Sequence, residues 1–219
     1  MSREHSVTLD ELELADEPAG WAALGFSVSD AAVQLGGVRL RMAGREAGRG
    51  IVGWSLGGVT SSELDGLPRP GAHEPPTDAP PSHRNGIVAI DHVVAMTPDL
   101  DRSVRALQAA GLDLRRVREQ PTPAGAPRQA FFRLGEAILE VVQEPQQIVA
   151  ERGGADGPAR LWGLALIAPQ LDRTVTELAP HAGAVRDAVQ PGRRIVTLKR
   201  SAELAVPIAL MSPRKAVPA

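Results

Sequence analysis

A short run near the middle of the chain occurs twice. Pro98-Asp-Leu-Asp-Arg-Ser-Val104 can be laid directly on Pro169-Gln-Leu-Asp-Arg-Thr-Val175, a constant separation of 71 residues. Each copy follows an apolar run: Ile87-Val-Ala-Ile-Asp-His-Val-Val94 precedes the first and Trp162-Gly-Leu-Ala-Leu-Ile167 the second. Self-similarity spread over whole strand-helix units constrains the fold strongly, because both copies must form the same supersecondary structure.

Around the first copy, Leu100, Val104 and Leu107 recur on one helical face. Thr97 or Asp99 can cap the first exposed amides, and Gly111 can end the helix. Leu112 to Val117 reads as a strand and Pro121 to Pro127 as turn, while Phe131 to Leu134 and Ile138 to Val142 form a hairpin through Gly135-Glu136. The order is β-α-β-β-β. Around the second copy, a helix from Pro169 to Leu178 is followed by strand candidates at Arg186 to Val189, Arg194 to Leu198 and Val206 to Met211. Pro207 favours an edge or a first position in its strand.

The N-terminal part gives a weaker version of the same pattern. Val7 to Ala15 reads as a strand, and Pro18 starts a short helix around Trp21 and Leu24 that Gly25 closes. Strand candidates follow at Phe26 to Val28, Ala32 to Leu35, Val38 to Met42 and Ile51 to Leu56, with Gly36-Gly37 suited to a hairpin. Glu63 to Asn85 carries Pro68, Pro70, Pro75, Pro76, Pro80 and Pro81, so it reads as a surface connector in which His73 and His83 face solvent. The expected fold class is α+β with repeated βαβββ modules. Residues 1–62 form a degenerate N-terminal module and 63–85 a Pro-rich linker. The second module spans 86–145, a second linker 146–160, and the third module 161–219, pairing with the second.

Composition removes several functions. The formal charge of −2 over 219 residues gives no polyanion-binding signature, and three Trp, three Phe and no Tyr give no stacking platform, so nucleic acid is not an expected partner. The absence of cysteine excludes disulfides, thiolate metal sites and a cysteine nucleophile. No apolar stretch reads as a signal core or a bilayer span, so the expectation is a cytoplasmic protein without a membrane partner. Glycine-rich phosphate cradles and a serine nucleophile elbow are likewise not evident.

With Ile90-Asp-His-Val-Val94 opening a βαβββ unit, Pro98-Asp-Leu-Asp-Arg opening its helix and Leu139-Glu-Val141 in its last strand, the chain resembles the vicinal oxygen chelate superfamily. That group is also called the glyoxalase/bleomycin-resistance/dioxygenase superfamily. The resemblance implies paired modules whose curved sheets enclose a groove, with metal ligands on first and last strands. His92 matches a first-strand ligand and Glu140 a last-strand ligand. An imidazole and a carboxylate can coordinate Zn²⁺, Mn²⁺, Ni²⁺, Co²⁺ or Fe²⁺. Glu11 falls near the His92 position of the first unit and is a candidate third ligand. In the third module Gly163 falls opposite His92, and Ala209 or Leu210 opposite Glu140, so the complementary ligands are missing. Two metal-free readings therefore stand beside coordination: a buried structural role, with His92 held by a carboxylate or backbone carbonyl and Glu140 paired with His92 or a nearby arginine, and direct catalysis or ligand binding by these two residues.

Other residues are candidates for the groove. Phe131 and Phe132 point to opposite faces of one strand, Trp162 precedes the position matching His92, and Arg128, Arg193 and Arg194 can hold a carboxylate or phosphate. Gln129 and Gln190 are weaker candidates, and strand alternation turns Asp91 away from His92. The expected function is a glyoxalase-like protein acting on a small organic molecule, as a divalent-metal-dependent lyase or isomerase rather than a dioxygenase. The alternative is a metal-free small-molecule binding, sequestration or resistance protein. The odd first unit can also pair with its counterpart from a second chain, giving a homodimer.

Overall fold

The computed structural model describes residues 6–68, 71, 79–122 and 125–214. The second module supplies β5 (Ala89–Thr97), α2 (Leu100–Ala109), β6 (Asp113–Arg118), β7 (Gln129–Leu134) and β8 (Ala137–Gln143). The third supplies β9 (Arg160–Ile167), α4 (Leu171–Glu177), β10 (Arg186–Asp187), β11 (Arg194–Thr197) and β12 (Ile208–Met211). These strands form one eight-stranded sheet in the order β10-β11-β12-β9-β5-β8-β7-β6. In each half the last strand lies parallel beside the first, β8 on β5 and β12 on β9, and the two first strands meet antiparallel at the centre. This is the paired-module arrangement that the resemblance to the vicinal oxygen chelate superfamily implies.

Local chemistry explains the two halves. The Asp99 carboxylate accepts from the Arg102 amide at 2.9 Å and caps α2, a contact that stabilises a helix start by about 1 kcal/mol. Leu100, Ser103 and Leu107 make its buried face. α4 repeats that face with Leu171 and Thr174, the latter donating to the Asn85 carbonyl at 2.8 Å. Gly111 ends the α2 turn at φ +93° and Gly135 turns the β7–β8 hairpin at φ +65°, both costly for a residue with Cβ.

The central β5–β9 ladder carries two irregularities. Asp91 is skipped between the pairs Ile90↔Leu166 and His92↔Ala165, and Trp162 is skipped between Val94↔Gly163 and Ala95↔Leu161. They lie 71 residues apart, so the bulges obey the same repeat as the helices. Past the first bulge, Val93, Ala95 and Thr97 are buried on the covered face, while His92, Val94 and Met96 lie on the partly open one.

The N-terminal residues form a separate four-stranded sheet. Its elements are β1 (Thr8–Leu14), α1 (Pro18–Ala23), β2 (Ala32–Leu35), β3 (Val38–Met42) and β4 (Ile51–Gly57), ordered β2-β3-β1-β4. β3 runs parallel to β1 and β4 antiparallel on its other side, so β4 stands to β1 as β9 stands to β5. β1 lies against β7 and β4 against β9. Leu12, Trp21 and Leu40 join Val93, Leu107 and Leu164 in one hydrophobic core, so the N-terminal sheet is covered within its own chain. Among the described residues no helix is long and apolar enough to cross a membrane.

Three local expectations change. Phe26 to Val28 is not a strand; Phe26 instead packs its ring 4.9 Å from Trp21. A short helix, α3 (Gln146–Glu151), forms after Pro145 inside the stretch read as linker, too brief to leave an amphipathic period. His83 is buried rather than solvated: its Nδ1 accepts from the Ser27 amide at 3.0 Å, and Nε2 faces the Gln34 carbonyl at 2.9 Å. A proline tract supplies few donors of its own, so one histidine serves as its clamp to the N-terminal sheet. His73 lies outside the described residues.

Candidate functional site

His92 and Glu140 project from neighbouring parallel strands onto the open face, diagonal to each other because His92 pairs with Ile138 and Val94 with Glu140. His92 Nε2 lies 3.3 Å from Glu140 Oε2, and the side chains are 13% and 14% exposed. The other ring nitrogen, Nδ1, contacts Asp91 Oδ2 at 2.8 Å. Strict alternation turns Asp91 away from His92. The bulge breaks that alternation, so adjacent residues share a face. Asp91 is in turn gripped by Arg193, whose Nη2 and Nη1 donate to its two oxygens at 2.6 and 3.2 Å, while Nε donates to the Ser212 carbonyl at 2.9 Å. Gln129 Nε2 donates to Glu140 Oε1. The result is a chain, Arg193–Asp91–His92–Glu140, joining the β10–β11 loop of the third module to the second.

Electrostatics separate the two carboxylates. Burial alone raises Asp91, yet hydrogen bonds and charge from His92 and Arg193 outweigh it and hold the group down at about 2. For Glu140 burial wins over the opposing pull of His92, and the carboxyl sits above the ordinary glutamate value. Asp91 thus remains an anion that fixes the imidazole, while Glu140 is the carboxyl able to take up a proton. With Glu140 ionised, both ring nitrogens of His92 can donate; with Glu140 protonated, its O–H can donate to Nε2. One proton has two adjacent seats.

The groove above these residues has a volume of about 540 Å³. Its lining includes five arginines (Arg115, Arg116, Arg133, Arg193 and Arg214) against three carboxylates (Asp91, Glu136 and Glu140), with Phe131, Ile138 and Gln190 among the rest. It is therefore a cationic groove with a proton-holding pair on its floor.

The divalent metal implied by the family resemblance does not fit this donor set. The register makes Gly163 the counterpart of His92 and Ala209 the counterpart of Glu140, and neither offers a ligand atom. A Cβ at Gly163 would lie 3.0 Å from the Pro207 carbonyl oxygen, so backbone already fills the space a ligand side chain would need. Both ring nitrogens of His92 face carboxylates of its own cluster. Among the described residues no group of three or more His, Cys, Asp or Glu side chains converges as a metal-binding set. Glu11 is on β1 in the other sheet, facing Arg39 at 3.7 Å and Arg41 at 3.3 Å, and is not part of the site.

The remaining candidates divide. Phe131 lines the groove and Phe132 is fully buried in the core, the split that alternation requires. Arg128 is occupied on the surface by Asp101 and Glu119, and Arg194 by Asp172, so neither reaches the groove lining. Arg193, the third arginine considered, is at the site, although it holds Asp91 rather than an open position. Trp162 occupies the bulge equivalent to that of Asp91 and is 45% exposed, but it is not in the groove lining. Sequence reasoning missed Arg116 and Arg133. The signal was available in Asp113-Leu-Arg-Arg-Val-Arg118, a short strand with three arginines beside the Phe131 strand.

No family model matches the chain, and no curated protein matches it. Among solved structures it is similar to methylmalonyl-CoA epimerase from Mycobacterium tuberculosis, at 17% identity, covering 59% of this chain and 91% of that one, TM-score 0.48. A Streptomyces coelicolor methylmalonyl-CoA epimerase in complex with 2-nitronate-propionyl-CoA is similar at 17% identity, with 61% and 99% covered and a TM-score of 0.48. A hypothetical protein from Bacillus halodurans C-125 follows at 12% identity, with 59% and 97% covered and a TM-score of 0.47. The fold itself is read from the strand order and register above.

Proposed function

We propose that the groove binds a small organic molecule and that Glu140 and His92 move a proton to or from it, the elementary step of an isomerase or lyase. The observation that supports this most is the Asp91–His92–Glu140 chain, with contacts of 2.8 and 3.3 Å on the floor of a groove large enough for a metabolite. As a carboxylate, Glu140 takes a proton from a carbon next to a carbonyl. His92, with Nδ1 held by Asp91, accepts that proton from the Glu140 carboxyl at Nε2 and returns it by the same route, and the imidazolium formed in between offsets the charge left on the enolate oxygen. Because the donor set does not suit a metal, the chemistry is assigned to these side chains. The alternative, a binding or sequestration protein, needs the groove but not the proton relay.

The test is exchange of substrate C–H for solvent deuterium, followed by NMR, across 3-oxo acids and 2-substituted malonates. Exchange by the wild type that falls by about 100-fold or more in Glu140→Gln and in His92→Ala supports the reading. Binding without exchange favours the sequestration protein. Equal exchange in wild type and variants refutes a role for this pair. We also propose the module boundaries given above (1–62, 86–145 and 161–219) and a homodimer formed through a surface other than the N-terminal sheet, which is covered within its own chain. A solution mass of twice 23.1 kDa supports the dimer, and 23.1 kDa refutes it.

A further inference from the structure

The open face of β5, β8, β7 and β6 is laid out in two adjacent rows fixed by strand register. One row runs His92, Ile138, Arg133, Asp113. The next runs Val94, Glu140, Phe131, Arg116. Within each row one order recurs: a proton-holding group, then an apolar side chain, then a guanidinium. Strands stand about 4.8 Å apart, so the backbone positions of the proton-holding group and of the guanidinium in each row are separated by about 10 Å.

Both guanidiniums have donors to spare. Arg116 lies over the Phe131 ring with Cζ 4.8 Å from the centroid, and among the described residues it has no ion pair. A guanidinium held over a ring face keeps its N–H donors available to a further partner. Arg133 spends only Nε, on the Gly135 carbonyl at 3.0 Å. Of the nearby carboxylates, Asp91 is committed to Arg193, Glu140 is held by Gln129 and His92, Asp113 beside Arg133 is taken by Arg115 at 3.1 Å, and Glu136 on the rim makes no ion pair with either arginine among the described residues.

We infer that the ligand is an amphiphilic anion: a carboxylate or phosphate group held by Arg116 and Arg133, joined by a short apolar body over Phe131 and Ile138 to the carbon that reacts at Glu140 and His92. The inference rests on the proton-transfer reading only for the reacting end; the anion end stands on the arginines alone. A fork that meets two oxygens of a planar or tetrahedral anion gives charge-assisted, bidentate hydrogen bonds. The row order sets the polarity of binding, and the distance along the row sets the span between anion and reacting carbon.

The probes are inorganic phosphate and the acetate, butyrate and hexanoate series, titrated into the full chain and followed by the arginine Nε–H signals in NMR. Expected are dissociation constants in the millimolar range, tightening from acetate to hexanoate as the apolar body covers Phe131 and Ile138. Arg116→Gln and Arg133→Gln each weaken hexanoate about tenfold or more. Arg194→Gln, an exposed control paired with Asp172, changes it less than twofold. Arg116 and Arg133 are exposed, so both variants fold. Equal affinity in Arg116→Gln and wild type, or no tightening along the series, overturns the inference. Glu140→Gln separates the two readings: it keeps hexanoate binding while abolishing exchange. Wild-type hexanoate binding without any substrate exchange sustains the anion site and refutes the proton-transfer reading.

Discussion

Replacing Asp91 by Asn removes one charge from a buried pair and leaves Arg193, 3% exposed, without its counter-ion. Breaking such a pair costs about 3–5 kcal/mol, because the surviving ion stays desolvated. The proton equilibrium gives an independent figure. Against the opposing effect of burial, hydrogen bonds and charge from His92 and Arg193 together lower Asp91 from an ordinary 3.8 to about 2, on the order of 2 kcal/mol shared between the two partners. The sign follows from weaker proton binding in the folded state. The contribution is complete at neutral pH, begins to fall as pH passes through the unfolded value, and is half lost near about pH 3. Urea unfolding of wild type and Asp91→Asn at pH 7 is expected to differ by about 3–5 kcal/mol, and the gap shrinks by about 1 kcal/mol at about pH 3. Adding Arg193→Met to Asp91→Asn should recover part of the loss, since no unpaired charge then remains. A gap below about 0.5 kcal/mol at neutral pH, or one that does not change with pH, refutes the ion-pair account.

Two further outcomes test the scaffold. Trp21 is fully buried, donates Nε1–H to Asp16 at 3.2 Å and packs on Phe26, so Trp21→Ala should cost about 3–5 kcal/mol in denaturant unfolding. A loss of under 1 kcal/mol would show that the N-terminal sheet is not anchored there, about the least that a core aromatic deletion costs. Gly163→His should bind no additional Zn²⁺ by equilibrium dialysis and should lower stability, because its Cβ meets the Pro207 carbonyl oxygen at 3.0 Å. Stoichiometric Zn²⁺ uptake by that variant would contradict the closed position.

The repeat made most of the fold legible. Two copies of one strand-helix pattern required equivalent halves, and the strands β5 and β7 to β9, the α2 cap at Asp99 and the β7–β8 turn formed where the residues indicated, while Phe26 to Val28 formed no strand and the one expected over Arg186 to Val189 shortened to Arg186–Asp187. His92 and Glu140 stood out as polar interruptions of apolar strands, and the structure brings them together. Asp91 was misread because alternation is a rule for regular ladders, and a bulge cannot be seen in a single strand's sequence. Its partner Arg193 lies in a different module, so only tertiary packing joins them. Glu11 looked equivalent to His92 by position in its unit, but β1 belongs to another sheet and its carboxylate meets the arginines of β3. Arg128 and Arg194 show the opposite case: charge alone suggested a ligand site, and nearby surface carboxylates use both.

The central claim is that Glu140 and His92 share a proton and do not jointly hold a metal. The most direct measurement is a pH titration of carboxyl-¹³C-labelled glutamate and ring-¹⁵N-labelled histidine by NMR, with Glu140→Gln and His92→Ala providing assignments. The account predicts that the Glu140 carboxyl titrates above its ordinary value of 4.5 and that added Zn²⁺ leaves its signal and the His92 ring signals unchanged. A Glu140 carboxyl that titrates at or below 4.5, or Glu140 and His92 signals that shift together and saturate with one equivalent of Zn²⁺, would contradict it.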